Sequence, residues 1–120
     1  MDIVEIRAYC LSKPHTEECL PFNETTLVFK VMGKMFALLS LDEPEHPALN
    51  LKCDPELAME LREKHPCVAP GYHMNKKLWN LVTVDGSVSD KLIKEWIDHS
   101  YLEVVKKLPK KLQLVISAKP

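Results

Sequence analysis

Glycine is nearly missing from this chain. Three glycines occur in 120 residues, at positions 33, 71 and 86, and none has another nearby. A phosphate-cradling loop of the Gly-rich type needs several glycines within one turn, so nucleotide folds built on such loops are excluded. Arginine is almost as scarce, with only Arg7 and Arg62. Guanidinium is the preferred group for bidentate reading of guanine and for clamping phosphate, so a sequence-specific DNA reader is poorly supplied here. The four cysteines, Cys10, Cys19, Cys53 and Cys67, form no CxxC pair. Among the five histidines, no two stand at i, i+4, and no Cys/His set has zinc-ligand spacing. No metal and no cofactor are expected. Apolar runs such as Met35–Leu39 are far too short to cross a bilayer. Excess charge is lacking too: 16 Lys+Arg against 17 Asp+Glu give a net −1.

What remains reads as one globular domain. The chain is 46% hydrophobic and 28% charged, enough for a core and too apolar for wholesale disorder. The start, MDIVEIRAYC, has no basic region followed by an apolar run and a small-residue cleavage site. No secretory leader is expected, which points to a cytoplasmic protein with free, mostly buried thiols.

Periodicity gives the elements. Asp2 and Glu5 have capping-box spacing, and Ile3, Ile6 and Cys10 recur at helical steps, predicting a helix over 2–11. Residues 13–24 are a connecting loop with room for a short strand around Leu20–Phe22. Residues 25–31 alternate Leu27, Phe29 and Val31 against Thr26, Val28 and Lys30, and Met32-Gly33 turns into a partner strand over 34–41. Residues 48–53 alternate again. Asp54-Pro55 opens a helix with Asp as N-cap and Pro at its first position, ended by Pro66. An irregular stretch, 66–78, precedes a strand over 79–84. Ser87 and Asp90 have capping-box spacing before a long helix from about residue 89 to 108, whose final lysines suit the helix dipole. The basic, then apolar tail predicts a short strand or a partly ordered end. The order is α-β-β-β-α-β-α. The fold class is α+β: an antiparallel sheet with helices on one face.

Three stretches carry a family likeness. They are TTLVFKVMGKMFALLSLDEP (25–44), NLKCDPELAMELREKHPCVAPGYHMNKKLWNLV (50–82) and IDHSYLEVVKKLPKK (97–111). Together they resemble the MmcQ/YjbR family of small bacterial proteins. The likeness covers residues 1–111 as a single YjbR-like domain, leaving 112–120 as a C-terminal extension. One position departs from the family pattern: Leu78 follows the Lys76-Lys77 pair where histidine is frequent. The resemblance implies a compact α+β fold related to the frataxin-like and secretion-chaperone-like arrangements. It also implies DNA binding, which members are commonly credited with through a proposed double-wing motif. It transfers no catalytic residue.

The residues themselves offer a cationic surface. Residues 1–60 carry five Lys/Arg and eleven Asp/Glu, a balance of −6, whereas residues 61–120 carry eleven and six, a balance of +5. Nucleic acid rewards clustered cations, because each phosphate contact releases condensed counterions. The loop at 71–78 offers Tyr72, His73, Asn75, Lys76 and Lys77; an aromatic ring stacks on unpaired bases and asparagine pairs with an adenine edge. Lys30, Lys34 and Lys52 stand on the strands as phosphate partners. Lys106-Lys107 with Lys110-Lys111 form a further basic stretch. These features predict a non-enzymatic, monomeric binding module whose partner is DNA, bound nonspecifically. The rival is a protein-interaction module, in which an exposed sheet face or edge takes a partner strand or helix. A third reading is a thiol enzyme built on Cys67, with His65 or His73 as its base.

Overall fold

The computed structural model describes residues 1–20, 24–71 and 74–117. Its elements are α1 (Ile3–Leu11), β1 (Thr16–Cys19), β2 (Thr26–Val31), β3 (Lys34–Ser40), β4 (Ala48–Lys52), α2 (Pro55–Lys64), β5 (Val68–Pro70), β6 (Trp79–Thr83), α3 (Asp90–Val105) and α4 (Lys110–Ser117). The six strands form one antiparallel sheet in the order β1-β2-β3-β4-β6-β5. The α+β class therefore holds, while the element order is longer than the periodicity predicts.

The three added elements are those with the weakest patterns. β1 is TEEC, four residues without apolar alternation; at the sheet edge its glutamates stay accessible, and Glu18 takes a forked pair of hydrogen bonds from Arg7. It precedes the expected Leu20–Phe22 position, of which residues 21 and 22 lie outside the described residues. β5 is VAP, and an edge strand tolerates a proline that cannot donate to the ladder. The tail is helical rather than a strand: Leu112 and Gln113 donate backbone N–H bonds to Pro109 O, and Ile116 meets the core one turn on from Leu112. Gln113 Nε2 also donates to Lys106 O and Leu108 O, closing carbonyls left open beyond α3. The boundary at residue 111 falls inside α4. The cap of α3 is Ser89, which accepts from Leu92 N–H, rather than Ser87.

The caps of the first two helices follow the sequence. Asp2 and Glu5 form the reciprocal box, and Asp54 accepts from Glu56 and Leu57 N–H ahead of Pro55. Helices cover one face of the sheet. There Ile6, Phe29, Phe36, Leu39, Leu49, Ile93 and Ile97 are almost completely buried in the main core. The opposite face is not bare. Val28, Leu38 and Trp79 are buried beneath Cys19, Met35, Met74 and Leu78, so the segment before β6 lies against that face.

One irregularity shapes the sheet. Phe29 pairs with Ala37 and Lys30 with Met35, leaving Phe36 as an extra residue on β3. Phe36 and Ala37 consequently both face the helices, and the Phe36 ring meets Tyr101 edge-on with centroids 5.3 Å apart. Where β3 and β4 would continue pairing, Ser100 of α3 enters the ladder. Its fully buried Oγ accepts from Lys52 N–H at 2.8 Å and donates to Phe36 O. The helix thus locks the end of the sheet at which β3 begins and β4 stops.

Candidate nucleic-acid interface

Antiparallel pairing collects alternate strand ends and connections at each end of a sheet. β2 ends, β3 begins, β4 ends and β6 begins at the same end. Lys30, Lys34 and Lys52 are therefore brought there by register alone. The segment entering β6 adds Lys76 and Lys77, held in place because Cys53 N–H donates to Leu78 O at 2.8 Å. α3 runs toward this end as well: Ser100 touches Lys52 and Phe36, and the helix leads on to Lys106 and Lys107.

The strand connections at the opposite end have the opposite charge. They carry Glu24, Asp42, Glu43, Glu45 and Asp85, with no lysine or arginine among their described residues. The strand connections thus sort charge between the two ends, although Lys64 at the end of α2 and Lys91 in the first turn of α3 also stand at the acidic end. This sorting cuts across the two halves of the sequence: Lys30, Lys34 and Lys52 leave the acidic half for the basic end.

Lys52 is the most informative cation. It is partly buried, and its pKa is held below the usual lysine value, first by burial and then by the nearby charges of Lys107 and Lys34; Glu103 acts in the other direction. Lys34 on β3 and Lys107 just past α3 are therefore both near enough to Lys52 to act on its charge. Among the described residues none of the three has an ion-pair partner within contact distance. Two carboxylates stand beside them. Glu103 is 9% exposed and pairs with Lys106 at 2.5 Å, and Asp54 caps α2.

The predicted site residues fare differently. Lys34, Lys76 and Lys77 are exposed, and Lys30 and Lys52 are partly so. Lys30 lies directly across from Glu17 on β1, an ordinary opposite-charge strand pair. Asn75 is exposed, but its Oδ1 already accepts from Lys77 N–H at 2.9 Å, so its side chain shapes the turn. Tyr72 and His73 lie outside the described residues. Three residues that sequence reasoning did not place in the site also act there. Lys107, assigned to the helix dipole, joins Lys34 and Lys52. Ser100 fixes the backbone beneath them.

The third is Arg62, the single arginine of the second half. Its guanidinium donates to Asn80 Oδ1 at 2.7 Å, to Trp79 O at 3.2 Å and to Lys76 O. Asn80 is buried and donates to Ala58 O at 3.3 Å. Arg62 thus spends its donors holding the lysine-bearing segment against α2 and β6. Only its spacing within α2, one residue beyond the apolar Leu57, Ala58 and Leu61 stripe, hinted at an inward role.

Cys10, Cys53, Cys67, His65 and His99 are engaged in packing or backbone hydrogen bonds. Burial pushes the Cys10 thiol up to about 12 and the Cys53 thiol to about 11, so both stay protonated at neutral pH. Cys67 is buried in the main core, and His65 stacks edge-on against Trp96 with centroids 5.2 Å apart. His99 Nε2 accepts from Asp54 N–H at 3.2 Å. A narrow cleft of water size, about 10 Å³, runs between Leu51, Cys53, Leu61, Val82, Trp96 and His99. No group of three His, Cys, Asp or Glu among the described residues is arranged to hold a metal ion. No helix of the described residues is long and apolar enough to cross a membrane.

Likeness to known proteins agrees with this architecture. The profile of the YjbR family matches residues 11–103. The Escherichia coli K12 protein YjbR is 38% identical over 109 residues, spanning 91% of this chain and 92% of its own. The protein YbdF of Escherichia coli O157:H7 is 39% identical over 103 residues, covering 86% of this chain and 84% of its own. The crystal structure of a Deinococcus radiodurans protein with the DUF419 domain superposes with a TM-score of 0.89 at 42% identity, over 99% of this chain and 91% of that one. A Pseudomonas syringae protein gives 0.72 at 29% identity, over 83% and 96%. These likenesses assign family and fold and no ligand. With the profile spanning most of the sheet and α3, and relatives alike over nearly their whole length, the chain belongs to the YjbR family.

Proposed function

We propose that this chain is a non-enzymatic binding module that holds the phosphate backbone of nucleic acid at the lysine-rich end of its sheet, without reading sequence. The observation that carries this reading is the convergence of Lys34, Lys52 and Lys107. Like charges gathered from three elements, with no carboxylate paired to them, raise the free energy of the fold unless an anion arrives. The acidic opposite end repels a polyanion and orients its approach. Lys76 and Lys77, exposed on the segment entering β6, add to the cations at this end. Sequence readout is disfavoured by the same geometry, because Arg62 is committed to the loop and the Asn75 carbonyl to its turn.

A protein partner is the weaker reading. The exposed large hydrophobics Val4, Leu20, Met59, Leu102, Leu114 and Val115 are spread over five elements or loops, and the sheet face away from the helices is already partly covered.

The test is fluorescence anisotropy of labelled duplex and single-stranded DNA across a salt series. Wild type runs beside Lys34→Gln/Lys52→Gln/Lys107→Gln. Binding that weakens with salt, with a slope near −0.9 per phosphate contact on duplex and shallower in the triple variant, supports the proposal. Absence of binding at low salt, or an unchanged slope in the variant, refutes it.

A further inference from the structure

Cations that serve a long duplex lie in a stripe or flank a groove, following phosphates along the strand. The lysines here are arranged otherwise. Lys34 and Lys52 stand on adjacent strands, offset by two residues beyond the Phe36 bulge, which puts their backbones about 8 Å apart from strand geometry. Lys107 stands two helical turns past Ser100, the residue wedged between those same strands. Lys34 on β3 and Lys107, just past the end of α3, each stand near enough to Lys52 on β4 for their charge to act on it. On the α2 side, carboxylates border the cluster. Glu103 lies beside it, and α2 leads away from Asp54 with Glu56, Glu60 and Glu63 exposed. A rod of duplex centred on the lysines lays its next phosphates along those acids.

Base recognition has no machinery among the described residues at this end. Trp79 is 7% exposed and packed with Val28 and Leu38, which leaves no open ring for stacking. Among the described residues the chemistry available at the cluster is phosphate charge alone, offered by three lysines, enough for two or three linked phosphates rather than a helical turn of duplex.

We infer that the Lys34–Lys52–Lys107 cluster takes a short run of linked phosphates end-on, either the phosphate-bearing end of a single strand or a free oligophosphate chain. This rests on the phosphate-binding reading above and narrows its ligand.

The experiment uses the full chain and two fluorescein-labelled, 5′-phosphorylated oligo-dT probes, a 5-mer and a 25-mer. Sodium tripolyphosphate and monophosphate serve as unlabelled competitors, and calorimetry compares tripolyphosphate directly with the unlabelled 5-mer. The inference expects per-site affinities for the two probes within about threefold, because the footprint is only a few nucleotides. It also expects displacement by tripolyphosphate at concentrations at least about tenfold below monophosphate, as multiple contacts on one chain require. Lys52→Gln should abolish both effects while circular dichroism stays native. The tighter partner in calorimetry identifies the source of the phosphates. Affinity that climbs steeply with length, with tripolyphosphate inert, overturns this inference and leaves nucleic-acid binding standing. Failure of every polyanion to bind overturns both.

Discussion

Ser100 is the residue on which the basic end depends. A serine hydroxyl replaces one rung of the β3–β4 ladder, serving Lys52 N–H and Phe36 O together. Replacement by alanine leaves a buried donor and a buried acceptor without partners. Ser100→Ala is expected to cost about 1–3 kcal/mol in urea unfolding and to lower hydrogen-exchange protection at Lys52 selectively. An unchanged midpoint would show that the strands reclose without it. The thiols make a separate prediction. Cys10 and Cys53 hold their protons above the ordinary value of 9.0, because burial disfavours the thiolate. The unfolded chain releases those protons first, so their contribution is intact below about pH 9 and is lost as the pH rises towards about 11–12. Thermal midpoints should therefore fall above about pH 9, and Cys10→Val should flatten that fall. The same alkaline loss in the variant would assign it elsewhere. In the native state at pH 7.5, both thiols should resist a disulfide reagent that modifies them at once in denaturant.

Elements were legible in proportion to their patterning. β2, β3, β4 and β6 alternate or run apolar between clear turns, and α1, α2 and α3 carry caps or stripes that the sequence displays. Met32-Gly33 illustrates this: both residues adopt left-handed backbone, φ 49° and 79°, as the predicted tight hairpin requires. The elements that escaped are short or compositionally misleading. TEEC is too charged to read as a strand, VAP too short and proline-bearing, and KKLQLVIS too apolar in its second half to read as a surface helix. Their placement is decided by neighbours. β5 shows how closely: a Cβ on Gly71 stands 2.7 Å from Trp79 Cβ, while Gly71 N–H donates to Trp79 O at 2.9 Å. Gly71→Ala is expected to force β5 off β6 and destabilise by about 1–3 kcal/mol, with Trp79 fluorescence shifting to the red as the ring is exposed. A wild-type spectrum and midpoint would contradict this contact.

At the scale of the molecule, the sequence displayed charge imbalance without its geometry. Halves of −6 and +5 describe order along the chain, whereas the fold sorts charge by sheet end. Lys34, Lys52, Lys76 and Lys77 were recognisable as candidates, but only strand register brings them to one end, and only the course of α3 adds Lys107. Arg62 read as a scarce cation and is instead a structural clamp; its place beside the apolar stripe of α2 hints at an inward role, but the clamp needs its partner Asn80 to be seen. The sorting has an energetic consequence. Lys52 is crowded by Lys34 and Lys107, so the fold tolerates its charge at some cost. Lys52→Met should raise the thermal midpoint at low salt while weakening phosphate binding, the opposed effects expected of a functional rather than a structural lysine. A lowered midpoint would make Lys52 a structural residue.

The central claim concerns location, and the most direct measurement is a two-dimensional amide NMR titration of the labelled protein with the phosphorylated oligo-dT 5-mer. Shifts are expected to group at residues 32–36, 51–54, 74–79 and 103–108, with the connections at 41–47 and 84–89 unmoved. Shifts centred on those acidic connections, or scattered evenly over the sheet and helices, would contradict it.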